Sequence, residues 1–243
     1  MGCSFLALRH MAGYLDLHER ASVAARWLPL VPEQHGHWTA PDGVLRVDAW
    51  SVHNEAARGG FFARGRGAAL AMTGWIQEEQ RWPMTATVAA NLLAYCGAQG
   101  FGPLLDERCG EYAVLHADED GQLRAACDPM GGQHLYYGER NGLVAVSNRA
   151  FLVAAALDGA GLPQVDPLRL AWLMSGLRAM FAGETLFDGV HILAPGKRLE
   201  VDGRGIRVVQ AQSKGAATSH DWDVHFAELC DRVAQIRRLP DVR

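Results

Sequence analysis

The sequence predicts an α+β fold in which antiparallel sheets are covered by helices. Two observations carry this. Residues 110–151 read as a meander of short strands: 111–117, 123–127, 134–137 and 143–147 are apolar or β-prone. Turn clusters at Asp118–Gly121, Asp128–Gly132 and Glu139–Gly142 separate them, which is the pattern of hairpin-connected strands. The strands of the chain also fall in groups, with helical stretches at 85–96 and 149–157 between and after them, so sheets and helices segregate into layers.

In chain order, residues 1–9 read as a buried N-terminal strand. Residues 16–31 carry apolar positions at helix-like spacing and predict a short helix or irregular segment. Residues 32–43, rich in Pro, Gly and His, predict a loop. Residues 44–50 and 68–75 predict strands, with a Gly/Arg-rich turn at 58–67 between them. The helix predicted over 85–96 has Val88, Leu92, Leu93 and Tyr95 near one face and Thr85 or Thr87 as its cap. Residues 103–108 predict a short helix leading into the meander. Gly159 ends the helix at 149–157. Asp166 caps a third helix, with Pro167 at its first position, where the missing N–H costs nothing. Residues 185–201 and 206–210 return to strand. A polar linker at 212–220 separates a first domain, 1–211, from residues 221–243, where Trp222, Phe226, Leu229, Val233 and Ile236 recur at helical spacing.

One run of residues is specific. Asp128-Pro129-Met130-Gly131 is followed by Leu135-Tyr136-Tyr137 and, one strand later, by Ser147. Phe187-Asp188-Gly189-Val190 then leads to Pro195-Gly196-Lys197. This order and spacing resembles the end of the glutaminase domain of asparagine synthetase-like proteins. There the pattern is Arg-Asp-x-x-Gly-x-x-Pro-Leu-Tyr-Tyr, then a strand ending in Ser-Glu. This chain carries Cys127 for the Arg, His134 for the Pro and Asn148 for the Glu. The resemblance implies a four-layer α/β/β/α sandwich, the fold of the N-terminal-nucleophile (class II) glutamine amidotransferases. It is closest in character to the N-terminal domains of β-lactam and lasso-peptide macrolactam synthetases.

The resemblance also names the residues that glutamine hydrolysis needs, and the chain departs from it at most of them. In that family an N-terminal cysteine attacks the glutamine amide and its own α-amine is the base. Here Gly2 stands before Cys3, so the Cys3 nitrogen is acylated unless a cut follows Gly2. The family's Asn-Gly oxyanion pair aligns with Thr73-Gly74. A side-chain donor at that place contributes about 3 kcal/mol to the transition state. The Asp that clamps the glutamine ammonium aligns with residues 84–88, which contain no acid. Arg46 is the surviving candidate for holding the glutamine carboxylate. These departures predict a pseudo-glutaminase; an active amidotransferase with Cys3 as nucleophile and Thr73 and Gly74 as oxyanion donors is the alternative.

The family's second domain opens with Ser-Gly-Gly-x-Asp-Ser, a loop that cradles ATP pyrophosphate. The sequence contains no such loop, and Ser175-Gly176-Leu177-Arg178 does not supply it. The resemblance therefore implies a fragment, or half of a split enzyme, with no cofactor of its own. The ATP and Mg²⁺ of an amide-forming ligase belong to a C-terminal synthetase domain, the expected partner, alongside a peptide or small-molecule substrate. A stand-alone peptide- or partner-binding module is a third reading.

Composition narrows the rest. A net charge of −4 argues against nucleic acid or anionic membranes as partners. The five cysteines have no C-x-x-C spacing, which predicts neither a disulfide framework nor a zinc site and fits a reducing, cytoplasmic setting. His35-Gly36-His37, with no acid or cysteine at ligand spacing, reads as a solvated loop, so no metal is expected.

Overall fold

The computed structural model describes residues 3–11, 15–28, 32–51, 61–65, 67–76, 88–102, 110–159, 163–174 and 183–210. They fall within the first of two compact units, Met1–Ala211; the second, Gln212–Arg243, lies outside the described residues, and the helix expected over 221–239 lies there with it.

Twelve strands build two sheets among the described residues. The first contains β1 (Ser4–His10), β2 (Gln34–Thr39), β3 (Leu45–Ser51), β8 (Tyr136–Arg140), β9 (Leu143–Ser147) and β10 (His191–Ile192) in the order β10-β8-β9-β1-β3-β2. The second contains β4 (Phe62–Arg64), β5 (Ala68–Ile76), β6 (Gly110–Asp118), β7 (Leu123–Cys127), β11 (Lys197–Asp202) and β12 (Gly205–Gln210) in the order β12-β11-β7-β6-β5-β4. All neighbours are antiparallel.

Strand alternation sorts the side chains into layers. Phe5 and Ala7 of β1, Val47 and Ala49 of β3, Ala69 and Ala71 of β5, and Ala113 and Leu115 of β6 form one core between the sheets. Leu6, Leu8 and Trp50 point the other way, onto α1 (Leu17–Ala25) and α3 (Ala150–Asp158). Leu70, Met72 and Val114 leave the second sheet on its outer side and meet α2 (Val88–Gln99) through Ala89 and Leu92. The result is the α/β/β/α sandwich. Each fully buried Leu or Phe in these layers contributes about 1.5–3 kcal/mol.

Local chemistry sets the helix ends. Asp16 caps α1, its carboxylate accepting from His18 N at 2.8 Å and Glu19 N at 3.0 Å. The helix α4 (Pro167–Met174) begins as the sequence predicts, with Asp166 accepting from Leu168 N at 2.8 Å. Among the described residues no helix is long and apolar enough to cross a membrane.

Three expectations are corrected. Residues 32–43 are not a loop: β2 runs from Gln34 to Thr39 and pairs with β3 along its length. The glycine that suggested a loop is there because the Phe62 ring fills its side-chain space; a Cβ on Gly36 would lie 2.5 Å from Phe62 Cδ1. The turn over 58–67 contains a strand, β4, which pairs with β5. Residues 185–201 are not one strand. Thr185 Oγ1 accepts from Phe187 N at 3.1 Å and donates to Val190 O at 2.8 Å, so the chain folds on itself before β10. The short helix expected at 103–108 and the caps Thr85 and Thr87 lie outside the described residues.

Candidate functional site

The sequence candidates Cys3, Thr73 and Gly74 share one end of the sandwich. The connection from Asp128 to Leu135 passes from the end of β7 in one sheet to the start of β8 in the other, so those ends meet. The start of β1 lies at the same end, because Leu6 pairs with Ser147 at the close of β9 and Tyr136 pairs with Ser147 from the other side. The close of β5 lies there too: Thr73 pairs with Ala113, which pairs with Cys127.

Cys3 is 1% exposed and belongs to the core between the sheets, on the same side of β1 as Phe5 and Ala7. Its backbone is fixed by side chains rather than by strand β9, whose pairing with β1 stops at Ser147. Asn148 continues it: Nδ2 donates to Cys3 O at 2.8 Å, and Oδ1 accepts from Phe5 N at 2.9 Å. Ser147 Oγ donates to Phe5 O, and Arg149 Nε donates to Ser4 Oγ at 3.3 Å. This clamp is absent from the sequence reading. The signal for it was visible: Asn148 occupies the position where the family pattern has Glu.

Thr73 is buried and faces the same inter-sheet layer, since it continues the Ala69–Ala71 side of β5. Gly74 follows at φ +85°, where a Cβ would meet Glu111 O at 1.9 Å. The loop that closes this end is built on Asp128, itself 1% exposed. Its carboxylate accepts from Met130 N at 3.0 Å, Gly132 N at 3.1 Å and Gln133 N at 2.9 Å. Gln133 Nε2 then donates to Glu111 Oε1 at 2.9 Å, tying the loop to β6. The half-exposed Trp75 and the fully exposed Met130 stand on the rim.

A second thiol, Cys127, faces the same layer. Burial, and then the charge of Asp128, push it up to about 11, so it is a neutral thiol near pH 7 and a poor nucleophile.

Arg46 is not brought to Cys3. The register sets it opposite Leu8, on the outer side of the first sheet, with Asp48 and Trp50. Its guanidinium is occupied there: Nε donates to Asp48 Oδ2 at 2.7 Å and Nη2 to Asp48 Oδ1 at 2.8 Å. The stretch 84–87 aligned with the ammonium clamp, and Ser175 to Arg178, lie outside the described residues. Among the described residues no three His, Cys, Asp or Glu side chains converge as a metal-ligand set.

No family model matches the chain, and no curated protein matches it. Solved structures do. One, an allosteric regulatory enzyme of purine biosynthesis, is 15% identical with a TM-score of 0.53, over 87% of this chain and 49% of that one. Another, the glutamine phosphoribosylpyrophosphate amidotransferase from B. subtilis complexed with ADP and GMP, is 12% identical with a TM-score of 0.53, over 86% of this chain and 49% of that one. The chain thus spans about half the length of these neighbours. The likeness is one of fold: two antiparallel sheets between helices, the α/β/β/α layering that this chain shares with these neighbours.

Proposed function

We propose that this chain is a glutaminase-like domain that does not hydrolyse glutamine and that serves an asparagine synthase-related, ATP-dependent amide-forming ligase. The observation that carries the loss of activity is the separation of the candidate residues. Cys3 and Thr73 face the inter-sheet layer, whereas Arg46, the candidate carboxylate clamp, faces the opposite side of the sheet with its fork bound to Asp48. Releasing it would strand the buried Asp48 carboxylate, at a cost of several kcal/mol. The Cys3 nitrogen is in a peptide bond to Gly2, which removes the amine that would act as base. The Asp-Pro-Met-Gly, Leu-Tyr-Tyr and Pro-Gly motifs support the asparagine synthase-like parent.

In this reading the domain is a scaffold. Carboxylate activation with ATP and Mg²⁺, and attack by an amine, belong to a synthetase domain, in the same chain or in a split partner. The product is asparagine, a β-lactam or a peptide macrolactam. An intramolecular lactam accords best with a lost ammonia source, because the substrate then brings its own amine.

One observation favours a second reading. Cys3 and Thr73 lie on the same layer and at the same end, as an amidotransferase with Cys3 as nucleophile requires. One experiment separates the two: intact mass of the purified chain, then exposure to a glutamine-mimicking electrophile, with ammonia release measured in parallel. Gly2 retained, Cys3 unlabelled and no ammonia is the expected result. Stoichiometric labelling of a terminal Cys3 with ammonia release establishes the active enzyme instead.

A further inference from the structure

The outer side of the first sheet carries a second cluster, two strands from the start of β1 and on the opposite side of the sheet from Cys3, independent of the reading above. His35 and His37 are two apart on β2, so both imidazoles leave the same side of the strand. The residue between them is Gly36, whose opposite side is filled by Phe62. The two ring centres are 5.7 Å apart and tilted by 36°. Two imidazoles bound tetrahedrally to one ion through bonds of about 2.0–2.1 Å have ring centres about 5 Å apart. Both rings are exposed, and a small approach of one toward the other brings them to a shared ion.

The surroundings fix the His35 ring. Its Nε2 lies 2.8 Å from Asp48 Oδ1, and the ring stacks on Trp50 at 5.5 Å and 8°. Asp48 is 1% exposed and both of its oxygens accept from Arg46, so the carboxylate is committed and is not itself a ligand. Accepting the Nε2–H of His35 leaves Nδ1 with the lone pair. A carboxylate behind a histidine in this way orients the ring and raises its basicity toward a metal. The charges facing the pair are Arg46, which Asp48 neutralises, and Arg64, an exposed side chain that donates to His37 O at 2.9 Å.

We propose that His35 and His37 form a two-nitrogen site for a late first-row transition-metal ion, with Asp48 as the positioning residue of His35 and water completing the coordination. With imidazole donors and no metal-ligand set of three His, Cys, Asp or Glu among the described residues, the site takes Cu²⁺, Ni²⁺ or Zn²⁺ and refuses Mg²⁺ and Ca²⁺, which require oxygen ligands.

The test is Zn²⁺ titration of the untagged chain by calorimetry, with the imidazole nitrogens followed by NMR. One equivalent binds, His35→Ala and His37→Ala each abolish that equivalent, and Mg²⁺ and Ca²⁺ give no heat. In the parent chain Zn²⁺ moves the Nδ1 resonance of His35 while Nε2 keeps its bond to Asp48. Asp48→Asn weakens binding about tenfold; the NMR assignment in the parent stands in for this variant if loss of the Arg46 partner unfolds it. Parental Zn²⁺ affinity in either histidine variant overturns the proposal, and so does a Zn²⁺-induced shift at Nε2 of His35 in place of Nδ1.

Discussion

At the scale of single residues, Asp128 shows how one carboxylate shapes the end of the sandwich. It is almost wholly buried, yet no lysine or arginine pairs with it among its described bonds; three backbone N–H groups do. Both oxygens are used: Oδ1 accepts from Met130 and Gly132, Oδ2 from Gln133. Asp128→Ala removes all three acceptors and lowers the urea unfolding free energy by about 3 kcal/mol with an unchanged m-value. Asp128→Asn keeps Oδ1 but turns an NH₂ toward Gln133 N, so its loss is smaller, about 1–2 kcal/mol. Equal losses in the two variants would mean that Oδ2 and the carboxylate charge, rather than Oδ1, hold the loop. The Asp-Pro-x-Gly spelling was legible in the sequence as a turn, because Asp accepts from backbone two residues on and Gly131 reaches φ +72° freely. What the spelling could not say is that the turn joins two sheets. That depends on the pairing of β7 and β8 with different partners, which no local signal carries.

At the scale of elements, two devices hold the Cys3 end together, and each has a clear test. Asn148 lends its amide to β1 where the β9 ladder stops. Asn148→Ala takes a partner from Cys3 O and another from Phe5 N, and a loss of about 3 kcal/mol in chemical denaturation is expected. Asn148→Asp costs more, since it sets an oxygen against the Cys3 carbonyl and buries a charge. Gly74 lets β5 and β6 approach at the close of the strand, at a φ that side chains rarely adopt. Gly74→Ala drives a methyl into Glu111 O; the variant is expected to lose more than about 4 kcal/mol or to fail to fold, read as loss of cooperative melting. Native-like stability in Gly74→Ala would show that the strand end can shift. The same scale separates what was legible from what was not. Strands β1, β3, β5, β6, β7 and β9 and helices α3 and α4 follow from periodicity and caps. β2 did not, because Gln-His-Gly-His-Trp-Thr offers one buried side chain, Trp38, and a glycine whose purpose is to admit Phe62 from the other sheet. The misreading of β2 also hid the His35–Asp48 pair, since Asp48 reaches His35 only across the β2–β3 ladder. Arg46 was assigned from its neighbourhood in sequence, but which side of a strand a residue takes depends on register, and a shift of one residue reverses it.

At the scale of the whole molecule, the layers close around groups that the fold keeps dry, and global stability must then depend on pH. His116 on β6 is 7% exposed and its ring lies 6.1 Å from Phe101, just beyond the end of α2. Its Nδ1 has no hydrogen-bond partner among the described residues. Burial lowers its pKa from 6.5 to about 4, with Asp118 opposing and Arg124 adding to the shift. Above about pH 6.5 the ring is neutral in both the folded and the unfolded chain, and it contributes no slope. Between about pH 6.5 and 4 the unfolded chain takes up a proton that the native state refuses, so unfolding is favoured as the pH falls. Below about pH 4 both states are protonated and the penalty levels off at about 3 kcal/mol. Carboxylates titrate in the lower part of this window, so the parent curve alone does not isolate the histidine. The difference from His116→Leu does. That variant removes the titration and the orphaned nitrogen while filling a similar space. Near pH 7.5 it should match or slightly exceed the parent in urea unfolding free energy, and its advantage should grow to about 3 kcal/mol by pH 4. Parallel curves across that range would mean that the ring takes its proton inside the folded sandwich, and that the Phe101 cover opens to admit it.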